Sequence, residues 1–133
     1  MKISSLINFK EGFEKVLREE WNSLKPTAQG IANDMALYCY NHGKKFILTD
    51  ILSDALEDKK LGRLSASHSE GRAFDFRTLG WSKDFIDKFE KHFETKYVKV
   101  AAVGATSGNR NLLEFHNNGN GDHGHCQIQR GIN

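Results

Sequence analysis

The apolar residues of this chain change their period part-way along, and that change limits the folds open to it. Leu6, Phe9, Phe13, Val16, Leu17, Trp21 and Leu24 recur at helical spacing with Lys, Arg and Glu between them. Residues 6–24 therefore read as an amphipathic helix, which Pro26 ends. A second helix carries Ile31, Met35, Tyr38 and Cys39 as its buried stripe and stops at Gly43, where glycine accepts a left-handed cap. Beyond Gly43 the period falls to two. "KFILTDIL" is a short β-rich run, "SDALEDKKLGRLSAS" a polar surface excursion, and "RAFDFRT" alternates as a strand does. Ser82 can cap one further helix bearing Phe85, Ile86, Phe89 and Phe93. "YVKVAAV" and "NLLEFH" then read as strands separated by the turn-rich "GATSGNR", and "HCQIQ" as the last strand. Helices early and strands late, with one helix inserted, predict an α+β fold with a mainly antiparallel sheet and flanking helices.

At 133 residues, 38% of them hydrophobic, the chain is expected to form one compact domain spanning 1–133. Its formal charge of +2 produces no strong field, so neither nucleic acid nor an anionic membrane is expected as partner. Cys39 and Cys126 are far apart in the sequence and sit in no zinc-finger spacing, which predicts reduced thiols rather than a disulfide. The opening "MKISSLINFKEGFEKV" has charges where a signal peptide has its apolar core, and no later run approaches the length of a membrane span. A soluble protein, made in a cytoplasm without a signal peptide and without membrane insertion, is the expectation. Nothing in the sequence specifies an oligomer.

Two stretches carry chemistry. "SASHSEGRAFDF" sets His68 seven residues before Asp75, and "HNNGNGDHGHCQIQ" gathers His116, His123 and His125, with Asp122 three residues before His125. Catalytic zinc takes three nitrogen, oxygen or sulfur ligands at about 2.0–2.2 Å for N and O, leaving a fourth position for water. His68, Asp75 and His125 would supply such a set, with Gly71 permitting the turn, Ala73 where bulk is forbidden and Phe74 buried. His123 is expected to face substrate or the ligands' surroundings, its alternative role being ligand in place of His125. Glu114 and His116 read as solvent-face strand residues, with a second metal pair as the alternative. Cys126 follows His125 and should turn to the opposite face, into the core. His42 reads as a helix-end residue, His92 as a solvent-facing helix position, and Trp81 as a candidate substrate contact.

"SHSEGRAFD" resembles the H-x-x-G-x-A-x-D signature of the M15-type zinc peptidases, which include bacterial D-alanyl-D-alanine peptidases and phage endolysins. "DHGHCQ" resembles their second motif, an acidic residue three places before the last histidine ligand. The resemblance covers roughly residues 45–130. It implies a Hedgehog/DD-peptidase-like fold, a bound Zn²⁺, and a peptide substrate from bacterial peptidoglycan. Residue by residue, it implies His68, Asp75 and His125 as metal ligands and Asp122 as general base toward the zinc-activated water. The expected lack of a signal peptide fits an enzyme released to the cell wall by a phage lysis system, or one carried on a virion. The chain departs from the pattern at two places. Ala66 stands where relatives often have serine, and "LTDILSD" lacks their upstream substrate-contacting arginine, for which Arg63 and Arg72 are the candidate replacements. These departures support a second expectation, a metal-binding structural or binding module of the same fold with little or no catalysis, housed in a phage particle.

Overall fold

The computed structural model describes residues 1–51, 70–103, 108–117 and 122–133. His68, Arg63, Ala66 and the polar excursion around them lie outside the described residues, as does "GATS" of the later turn. The described elements run β1 (Ile7–Phe9), α1 (Glu14–Glu20), a 3-10 turn (Trp21–Ser23), α2 (Pro26–Asn41), β2 (Phe46–Asp50), β3 (Ala73–Arg77) and α3 (Lys83–Lys96). After α3 come β4 (Ala102–Val103), β5 (Arg110–Asn111), β6 (Leu113–Asn117) and β7 (Asp122–Gln127). Five strands form one sheet in the order β1-β2-β3-β7-β6, and β4 and β5 form a separate ribbon. Only β1 and β2 are parallel within the larger sheet. The expected α+β class therefore holds, with a mixed, mostly antiparallel sheet. Among the described residues no helix is long and apolar enough to cross a membrane.

The first expected helix needs correction. Residues 7–9 are a strand, with Ile7 and Phe9 buried and Asn8 exposed, and Gly12 at φ +84 turns the chain before α1 begins. Three residues are too few to show a period of two, and they fell in phase with the helical stripe. Within α1 only Leu17 is buried, while Phe13 and Val16 are 49% and 42% exposed. Trp21 and Leu24, beyond the helix, complete the inward side. Pro26 does double duty, since it follows the first helical segment and occupies the first turn of α2, where its missing N–H costs nothing.

α2 and α3 follow the sequence closely because their stripes come with end signals. Ile31, Met35 and Cys39 are buried along α2, and the helix closes with Lys44 N donating to Cys39 O at 2.8 Å across Gly43 at φ +70. Ser82 Oγ accepts from Phe85 N at 3.1 Å and starts α3, whose Phe85, Phe89 and Phe93 are buried. "YVKVAAV" is not a strand. Tyr97 and Val100 continue the helix end as turns, Ala101 makes a single antiparallel bridge to Ile128, and Ala102–Val103 pair with β5. Tertiary partners explain this: Tyr97 Oη donates to Asp34 on α2, as does Lys96 Nζ at 2.6 Å, fixing the helical end where alternation alone favours an extended chain.

Alternation divides the five-stranded sheet into two faces. Leu48, Phe74, Phe76, Leu113 and Cys126 enter the core, where the Phe76 ring meets Phe46, Trp81, Phe89 and Phe115 at centroid distances of 5.3–6.2 Å. Two glycines allow close approaches that hold this arrangement. A Cβ on Gly71, at φ +74, would lie 2.1 Å from the Ser23 carbonyl oxygen, and one on Gly124 would lie 2.3 Å from Phe76 Cζ. Gly71 thus joins the N-terminal layer to the start of β3, and Gly124 lets an aromatic ring lie against the middle of β7.

Candidate metal centre

β3 and β7 pair antiparallel with Asp75 opposite His125, so residues fifty apart in sequence meet on one sheet face. His125 Nδ1 lies 2.8 Å from Asp75 Oδ1, and Nε2 lies 3.0 Å from Gln127 Oε1. Both ring nitrogens therefore face oxygen, and both can donate only in the imidazolium form. Burial opposes the charged ring, but the Asp75 hydrogen bond and charge, with help from Gln127 and Glu114, outweigh it and raise His125 above the usual imidazole range. The two side chains are 18% (His125) and 13% (Asp75) exposed, which leaves them reachable yet largely dehydrated.

The neighbouring strands extend this pair into a polar row. Glu114 on β6 is opposite His125, and Asp50 on β2 is opposite Asp75. Asp50 comes into line through a register shift between Leu48 and Asp50, which resets the alternation of β2. A second row runs through Arg77, His123 and His116, again in direct register. His116 and His123 have ring centroids 5.3 Å apart, and His116 Nε2 is 3.4 Å from Glu114 Oε2. Glu114 and His116 do lie on the outer strand and are well exposed, as read from the sequence, but they share the face of His125.

The remaining expected residues are placed as follows. Ala73 and Phe74 are fully buried, and Cys126 is buried on the opposite face from His125, where burial pushes its thiol well above the ordinary range. Asp122 opens β7 opposite Asn117, and its carbonyl accepts from Thr78 N at 3.1 Å. Strand parity groups Asp122 with Gly124 and Cys126, on the face opposite His125. Arg72 is buried and engaged, with Nε 3.0 Å from Glu70 Oε2 and a guanidinium N–H donating to the Ile128 carbonyl at 3.0 Å. Trp81 packs against Phe76, Phe85 and Phe89, among the core aromatics on the other face of the sheet. His42 caps α2 and stacks on Tyr38 at 4.2 Å, while exposed His92 tilts against the same ring. A cavity of about 530 Å³ lined by Tyr38, Lys88, Lys91, His92, Thr95 and Lys96 belongs to the helices and contains none of the paired strand residues.

An imidazole and a carboxylate side by side are a donor set that zinc accepts. Among the described residues no group of three His, Cys, Asp or Glu is arranged to hold an ion, and the third ligand implied by the resemblance, His68, lies outside them. Asp50, Arg77 and the common face of Glu114 with His125 were not visible in the sequence. The first depends on a register shift, the second on knowing which face a strand-end residue occupies, and the third on the pairing of β6 with β7. Comparison with family models, with curated proteins and with solved structures finds no match for the chain.

Proposed function

We propose that the chain is a zinc-dependent peptidase that hydrolyses amide bonds in the peptides of bacterial peptidoglycan, on a Hedgehog/DD-peptidase-like fold. The observation that carries this reading is the Asp75–His125 pair, two residues from separate motifs brought to 2.8 Å on adjacent strands. With His68 they would hold the metal. A Zn²⁺ bound there supplies a Lewis acid that polarises a carbonyl and acidifies water. Asp122 accepts the proton of the attacking water on a carboxylate oxygen and passes it to the amine nitrogen as the C–N bond breaks. Gln127, beside Nε2, restrains the imidazole plane, and the buried Ala73 and Phe74 hold β3 against β7.

A second reading, a metal-binding module with little catalysis, draws support from Ala66 and from the lack of an upstream arginine in "LTDILSD". Metal content and wall hydrolysis distinguish the two. The peptidase is expected to hold one Zn²⁺ and to release new amino groups from purified cell wall, and His68→Ala, Asp75→Ala and His125→Ala each to lose metal and activity together. Full zinc retention by these variants at low free metal rejects the site. Bound zinc with no release of amino groups by the parent protein establishes the module instead.

A further inference from the structure

The second row of the polar face sets two imidazoles directly across from each other. His116 on β6 and His123 on β7 are in register, and directly opposed residues of an antiparallel pair have Cβ atoms about 4.5–5.5 Å apart. Their ring centroids lie 5.3 Å apart with the planes inclined at 39°, whereas the stacked rings of Tyr38 and His42 are 4.2 Å apart. Two imidazoles that bind one ion at the tetrahedral angle, through metal–nitrogen bonds of about 2.0–2.1 Å, have centroids about 5 Å apart. A carboxylate stands at the same corner. Glu114 precedes His116 by two residues on β6 and shares its face, with Oε2 3.4 Å from His116 Nε2. That separation exceeds the roughly 2.7–2.9 Å of a charge-assisted hydrogen bond. It matches the edge of a tetrahedron of ligands at about 2.1 Å, which is about 3.4 Å. The side chains of Glu114 and His116 are 57% and 43% exposed, so water reaches the remaining position.

We propose that His116, His123 and Glu114 bind a divalent transition-metal ion, Zn²⁺ or Cu²⁺ in preference to Mg²⁺ or Ca²⁺, at a site separate from the Asp75–His125 pair. Two imidazoles select the borderline metals over the oxygen-seeking ones. In the metal-free chain the three groups do not surround one point, and rotation of side chains at the sheet surface, between staggered rotamers, closes them on an ion. His123 is two residues along β7 from His125, about 7 Å, whereas two ions that share one reaction sit about 3.5–4 Å apart. The second ion therefore has no part in activating water at the first. It clips β6, the outermost of the five described strands on that side, to β7, and this requires no peptidase activity.

The test uses the full chain as parent and as His125→Ala, which lacks a ligand of the first site. Zn²⁺ binding is measured by equilibrium dialysis, and Cu²⁺ serves as a probe whose electron paramagnetic resonance spectrum counts the coordinated imidazole nitrogens. The His125→Ala protein is expected to hold one ion, with two imidazole nitrogens on Cu²⁺. Adding His116→Ala or His123→Ala should weaken that binding by about 10²-fold, as one arm of a chelate is lost, at an unchanged melting temperature of the metal-free protein. His92→Ala, at an exposed helix position, should leave it intact. A His125→Ala protein that holds no ion at submillimolar free Zn²⁺, or one whose binding survives both His116→Ala and His123→Ala, overturns the proposal. A parent that binds one ion, lost with His125→Ala and kept with His116→Ala, also overturns it while leaving the peptidase reading standing. One ion kept by His125→Ala and lost with His116→Ala supports the second site and counts against the peptidase reading alone.

Discussion

The two faces of the five-stranded sheet are built from the same strands, residue by residue in alternation, yet they are held by different physics. On one face Phe74, Phe76, Leu113 and Cys126 are almost wholly buried, and each ring touches several others. On the other, Asp75, His125, Glu114, His123 and His116 meet in cross-strand pairs at the edge of water. The first face is fixed by volume, which tolerates neither a gap nor an added methyl. The second is fixed by register, since a slip of one residue would send every polar side chain into the core. The chemistry of the second face therefore depends on the packing of the first, while the packing should be largely indifferent to the chemistry.

That asymmetry is most sharply tested at Asp122, whose parity belongs to the apolar face but whose proposed work lies on the polar one. Asp122→Ala is expected to keep zinc and fold while lowering wall hydrolysis by roughly 10²–10⁴-fold, the size of a lost acid–base contribution. Zinc content, melting temperature and turnover of the same preparation check it. Turnover at the parent rate would remove Asp122 from the mechanism and make Glu114, directly opposite His125, the carboxylate to substitute next.

The apolar face should fail in the opposite way. Phe76→Ala removes a fully buried ring that meets five other aromatic side chains, and a loss of about 3–5 kcal/mol is expected in denaturant unfolding. Gly124→Ala asks less of the structure but reaches both faces. Its methyl would need Phe76 to give way, at about 1–3 kcal/mol, and any resulting shift of β7 is passed to His125 next to it. A Gly124→Ala protein as stable as the parent would show that the ring has room to move, and would weaken the idea that packing sets the position of the pair.

Much of the apolar face was legible in the sequence because periodicity and end signals agreed there. Ser82 and Gly43 bound their helices as read, and the alternation of "RAFDFRT" gave β3 and the inward turn of Phe74 and Phe76. β1 was missed because three residues carry no period, and "YVKVAAV" because Asp34 on another helix decides how Tyr97 and Lys96 sit. On the polar face the meeting of Asp75 with His125 followed from motif spacing, whereas Asp50 and Arg77 required the register itself. Arg72 and Arg77 make the point most economically. Arg72 immediately precedes β3 and Arg77 ends it, and their even and odd positions send Arg72 into a buried network and leave Arg77 on the face of the pair.

The smallest expected effect concerns the proton of His125, and it reads the polar face without disturbing the core. In the metal-free protein the folded state raises this pKa, through Asp75 in spite of burial, so folding favours the protonated ring. The sign follows from linkage: the stabilisation is fully present below the unfolded value near 6.5 and is lost as pH rises through the higher folded value. Asp75→Asn removes the charge and the carboxylate acceptor, leaving burial to oppose protonation, so the His125 titration followed by NMR should move to lower pH. Stability between those two pH values should then lose its dependence on this group. Zinc must displace the same proton, so affinity should fall by about tenfold per pH unit below the His125 pKa in the parent. A His125 titration unchanged by Asp75→Asn would mean that the 2.8 Å contact does not govern the ring, and the polar face would then owe its order to the packing behind it.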